Sequence, residues 1–121
     1  MKLDYNIMRN IMLVLEEMDY RELLTQSNYS DYPQLSNYNS YELVYAIQRM
    51  NEGGLISCGY VSWTKGETPK FSVSCLTWQG HQYLETIRND SMWNDILQKV
   101  SIGVPIDTAI NSVAKLIGSM A

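Results

Sequence analysis

Apolar side chains at Ile7, Met8, Ile11, Val14, Leu15 and Met18 recur every three or four positions, the rhythm that turns one face of a helix toward a core. Asp4 precedes them as a candidate N-cap, so a first helix is predicted from Asp4 to about Met18. Arg9, Asn10, Glu16 and Glu17 fall on its solvated side.

The periodicity then lapses. "YRELLTQSNYSDYPQLSNYNS", residues 20 to 40, is dense in Ser, Asn, Asp and Tyr, so only short elements fit: a brief strand or turn near Leu23 to Ser27 and one helical turn around Pro33 to Ser36. The rhythm returns in "NSYELVYAIQRMNEGG". There Leu43, Ala46, Ile47 and Met50 make the buried stripe of a second helix from about Tyr41 to Asn51. Asn39 or Ser40 would cap its start, and Gly53 or Gly54 would end it in the left-handed conformation. Tyr41, Tyr45, Gln48, Arg49 and Glu52 form the opposite face.

"LISCGYVSW" and "KFSVSCL" have strand length and β-branched or aromatic content, and they flank the polar loop "TKGETP". They are predicted to form a hairpin turning between Gly66 and Glu67. That register sets Cys58 opposite Cys75 and puts Ile56, Cys58, Tyr60, Phe71, Val73 and Cys75 on one face; a slip of one residue would reverse it. Next, Thr77 would cap a helix from Trp78 to about Arg88, with Trp78, Tyr83, Leu84 and Ile87 as its packing residues. A shorter segment near Ser91 carries Trp93, Ile96, Leu97 and Val100. Finally, Pro105 opens a helix with a stripe of Ile106, Ala109 or Ile110, Val113, Leu116 or Ile117, and Met120. With only Asp107 and Lys115 charged, that helix is expected to dock on its own domain or on a second copy.

Helix, short irregular segment, capped helix, hairpin with a polar tip: this order is that of a winged helix, the helix-turn-helix variant with a β-hairpin wing. The expected architecture is therefore α+β, with a winged-helix-like domain at residues 1 to 100. Residues 101 to 121 would add an amphipathic helix for docking or dimerisation.

The segments "MKLDYNIMRNIMLVLEE", "YELVYAIQRMNEGGLI" and "LTWQGHQYLETIRNDSMWNDI" resemble a family of bacterial proteins, many phage-associated, known as a domain of unknown function. The resemblance spans about residues 1 to 98 and implies a winged-helix-like fold and a link to phage or mobile elements. It implies no catalytic set or ligand. Similar sequences often carry a histidine where this chain has Ala46.

At 121 residues, 45% hydrophobic and 18% charged, the chain has the composition of one folded domain. It has no apolar run near the roughly 18 residues of a membrane span and no signal-peptide core, so a cytoplasmic protein with no membrane association is expected. Thirteen acidic residues against nine basic ones oppose a general affinity for nucleic-acid backbone, though not a local basic patch. Nine tyrosines, five of them from Tyr29 to Tyr45, suit an interaction surface and equally suit half-buried packing.

Candidate chemistry is sparse. His81 with Glu85 one turn on, beside Trp78, has the form of a general-base pair. No nucleophile, phosphate loop or carboxylate pair accompanies it, so His81 reads as a structural residue and no enzyme is expected. Cys58 and Cys75 would be a redox pair only if they met across the hairpin; reduced, small packing residues are the expectation. One histidine and two cysteines complete no zinc set, and no metal or cofactor is implied. Trp63 is expected to pack on Phe71, with a protruding anchor as the alternative.

The face with most to offer is Tyr41, Tyr45, Gln48 and Arg49, where a winged helix presents its recognition helix, with Lys65 and Lys70 flanking the wing tip for phosphates. The expected function is a DNA-binding regulator on double-stranded DNA. The alternative is a protein-binding adaptor or inhibitor using the tyrosine-rich face or the last helix. A homodimer through residues 104 to 121 is compatible with both.

Overall fold

A computed structural model describes residues 1 to 120, with side chains described to residue 116. Its mixed α+β architecture holds, among the described residues, five α-helices and a three-stranded antiparallel sheet. It divides into two compact units, Met1 to His81 and the residues from Gln82 on.

In the first unit, α1 (Tyr5–Glu17) starts where expected: the Asp4 carboxylate accepts from the N–H groups of Asn6 and Ile7. Its buried face is Ile7, Met8, Ile11, Met12, Val14 and Leu15, so Met12 belongs to the core while Met18 is only half-buried. β1 is two residues long (Leu24–Thr25). A 3-10 turn occupies Tyr29–Asp31, and the Ser36 N–H donates to the Tyr32 carbonyl at 3.0 Å, closing one helical turn over Pro33. That turn delivers Leu35, completely buried, into the core.

α2 (Ser40–Glu52) opens with a reciprocal capping box between Asn39 and Glu42. Leu43, Ala46, Ile47 and Met50 are buried as the stripe predicts, and so is Val44. At its end the Leu55 N–H reaches back to the Met50 carbonyl at 2.9 Å. Gly54, at φ 76, supplies the left-handed residue.

β2 (Ile56–Ser62) and β3 (Lys70–Leu76) pair antiparallel, and β3 is central in the order β1-β3-β2. Phe71 and Val73 on β3 face the core. The predicted register is wrong by one residue over most of the hairpin, Cys75 lying opposite Ser57, and by two at Cys58, which lies opposite Val73. Two irregularities offset each other, one residue of β3 (Ser74) and one of β2 (Gly59) being left without a partner. Beyond the second, Val61 pairs with Phe71, while Tyr60 pairs with Ser72 and stands 46% exposed, contrary to the face assigned to it. Cys75 is likewise exposed and not on the core face.

Thr77 caps α3 (Trp78–Ile87) through the Gly80 N–H at 3.1 Å. The buried positions are Gly80, Leu84 and Ile87, together with Thr86. Trp78 sits two residues before Gly80, about 200° around the helix, and is 80% exposed; it is not a packing residue.

The second unit continues α3 and adds α4 (Asp90–Ser101) and α5 (Ile106–Met120). α4 is longer than the segment predicted, because Asn89 caps it by accepting from the Met92 N–H at 3.1 Å. It buries Trp93 and Ile96 and leaves Leu97 and Val100 half-buried. α5 buries Ala109, Ile110 and Val113; Leu116 is exposed, and the side chains of Ile117 and Met120 lie outside the described residues. Tyr83 donates to Asp107 at 2.6 Å, tying α3 to α5.

Candidate functional site

The capping box and the buried stripe of α2 fix its phase, so the phase also decides what the helix shows. Tyr41 is exposed, and Tyr45, Gln48 and Arg49 are half-buried. The hairpin loop between β2 and β3 meets this face from above Tyr41, whose hydroxyl donates to the Glu67 carbonyl at 3.3 Å. The loop is itself turned by Gly66 at φ 89 and by a bond from the Glu67 N–H to the Thr64 carbonyl at 3.0 Å. Helix and loop thus make one continuous face.

Trp63, at the loop's base, packs on Tyr45 with ring centroids 5.9 Å apart and planes at 83°, edge to face. The expected Trp63–Phe71 contact is not what forms: Phe71 is buried and its ring neighbour is Tyr29, at 6.4 Å. The strand register explains the exchange, because Phe71 pairs with Val61 and points to the core. Trp63 retains 37% of its surface in solvent.

Arg49 lies over the Tyr45 ring at 5.3 Å and joins Glu52 at 2.7 Å. Its buried Nε has no hydrogen-bond partner among the described residues. The Tyr45 hydroxyl is also committed, donating to the Met1 carbonyl at 2.8 Å. Three of the side chains set toward a ligand by the sequence pattern are therefore already engaged within the fold: Tyr41 with the loop, Tyr45 with Trp63 and Arg49, Arg49 with Glu52. Gln48 stays half-buried on the same helix. Lys65 and Lys70, both exposed, flank the loop.

The electrostatic balance is mixed. Glu42, Glu52 and Glu67 stand on or beside the face that carries Arg49, Lys65 and Lys70, and acidic residues outnumber basic ones between residues 1 and 81. The face thus combines an ion-paired arginine, a tryptophan edge and two tyrosines with charges of both signs.

Elsewhere, His81 is exposed, and the Glu85 carboxylate is taken by Arg88 at 3.0 Å. The two cysteines are free and face different residues, so no redox pair is assembled. Burial pushes the Cys58 thiol up to about 11, which makes it a poor nucleophile at neutral pH. Among the described residues no three His, Cys, Asp or Glu side chains cluster as a metal site, and no helix is long and apolar enough to cross a membrane. The contribution of Trp63 escaped the hydrophobic pattern, because only the fold brings the base of the loop beside Tyr45.

A family model described as "Hypothetical protein (DUF2513)" matches residues 2–103. An uncharacterized protein of Haemophilus influenzae (strain ATCC 51907 / DSM 11121 / KW20 / Rd) is 28% identical over 121 residues, covering 97% of this chain and 95% of that one. No solved structure matches the chain.

Proposed function

The chain belongs to the DUF2513 family, and on that premise we propose that residues 1 to 81 are a winged-helix binding module whose α2 and hairpin-loop face takes a protein partner. The winged-helix assignment draws support from the order helix, short strand, turn, helix, hairpin and from the strand order β1-β3-β2. In that reading α2 is the recognition helix and residues 63 to 69 are the wing.

The observation that carries the functional half is the Tyr41–Glu67 bond, which joins helix and wing into one surface, with Trp63, Tyr45 and Arg49 packed at its centre. Trp, Tyr and Arg are the residue types that dominate protein interfaces, since each brings large contact area with a polar handle. Their mutual packing holds the face in one conformation before any partner arrives, and this lowers the entropy lost on binding.

The DNA-binding regulator is the second reading, favoured by the exposed Lys65 and Lys70 on the wing and by Gln48 on the helix. It requires Arg49 to leave Glu52 and reach a base edge or phosphate. Titrating labelled duplex DNA across salt concentrations separates the two. The protein-binding reading predicts no binding that weakens with salt. The DNA reading predicts such binding, abolished by Arg49→Glu combined with Lys65→Glu.

A further inference from the structure

The second unit carries a surface of a different kind. An open cleft of about 470 Å³ runs along α4 and α5, with Asp95, Lys99, Ile102, Val113 and Leu116 among its lining residues. Val113 is buried, while Ile102 and Leu116 stand 81% and 58% exposed. Two large aliphatic side chains thus project into water beside an apolar recess.

The patch is complementary to itself. A two-fold contact asks each copy to offer the same feature it receives, and here the projecting Ile102 and a recess for an aliphatic side chain lie on one surface. The charges obey the same condition. Asp95 and Lys99, one helical turn apart on α4, give the rim one charge of each sign, so two copies can oppose unlike charges with no net repulsion. α5 carries only two charged residues, Asp107 and Lys115. We infer that a second copy of this chain docks here, forming a two-fold homodimer through α4 and α5.

The residues that line the contact lie on α4, on α5 and at Ile102 just after α4. Light scattering and sedimentation of the full chain over a concentration series test it. The wild type shows a concentration-dependent dimer. Ile102→Glu and Leu116→Glu, both at side chains already exposed in the single copy, keep the circular dichroism spectrum and raise the dimer dissociation constant by about tenfold or more. K99E and D95K each weaken the dimer at low salt by making the rim single-signed, and an equimolar mixture of the two variants regains it. A wild type monomeric at every concentration overturns the inference and leaves the cleft to another molecule. So does a dimer indifferent to Ile102→Glu, or a mixture of K99E and D95K that stays monomeric.

Discussion

Gly80 in the first turn of α3 lies against the backbone of Leu55: a Cβ on Gly80 would run into the Leu55 carbonyl oxygen and stand 3.3 Å from the Leu76 Cδ2. The same turn is fastened at Thr77, whose N–H donates to the Leu55 carbonyl at 3.0 Å and whose hydroxyl donates to the Gly54 carbonyl. The obstacle is backbone, which cannot swing aside as a side chain can. Gly80→Ala is therefore expected to destabilise the protein by about 1–3 kcal/mol despite alanine's better helix propensity. At Gly59 an added Cβ would meet Ser72 Oγ at an ordinary 3.6 Å, so Gly59→Ala should cost within about 1 kcal/mol. Urea melts of both variants make the comparison, and equal losses would contradict the close approach.

The capping box of α2 offers a second test. Asn39 accepts from the Glu42 N–H at 2.9 Å, and Glu42 accepts from the Asn39 N–H at 3.1 Å. Removing the Asn39 side chain orphans a donor at the start of the helix that carries the proposed binding face. Asn39→Ala should cost about 1 kcal/mol, whereas Asn39→Asp or Asn39→Ser should cost far less. Thermal melts that rank the three variants otherwise would place the helix start elsewhere.

The cysteines predict chemistry by their separation. Cys58 faces Val73 and Cys75 faces Ser57, so mild oxidation should give no intramolecular disulfide, and intact mass under non-reducing conditions would reveal one. Cys75, exposed, should be alkylated before Cys58, whose thiol burial pushes from 9.0 to about 11. The sign of the linkage follows. The folded state holds the Cys58 proton more tightly than the unfolded chain does, so this contribution to stability is full below pH 9.0 and declines between there and about 11. Replacing Cys58 with serine should flatten stability in that window relative to wild type; an unchanged slope would show that Cys58 is not the group responsible.

Much of this fold is legible in residue order, and the exceptions share a cause. The starts of α1 and α2 follow from Asp4 and Asn39 because capping is local, a side chain meeting a backbone group three residues away. The hairpin register fails at the loop: Ser62 pairs with Lys70, which centres the turn on Gly66 and not between Gly66 and Glu67, while the irregularities at Gly59 and Ser74 shift only the pair Cys58–Val73, and neither effect leaves a mark on the alternation of side chains. Trp78 looks like a core residue by type, but Gly80 sets the phase of α3 and turns it to solvent. The binding face shows the same division. Tyr41, Tyr45, Gln48 and Arg49 stand out as a surface from the buried stripe alone. That Tyr45 would be covered by Trp63 from the loop and by Arg49 from its own helix is a tertiary fact.

A photoreactive amino acid placed at position 63 in the native host tests the central claim most directly, with one at Glu16, exposed on α1, as control. The account predicts one protein crosslinked from position 63, absent from position 16 and lost when Tyr41→Ala removes the hydroxyl that fastens the wing to α2. Crosslinks from position 63 to DNA alone, or the same products from both positions, would contradict it.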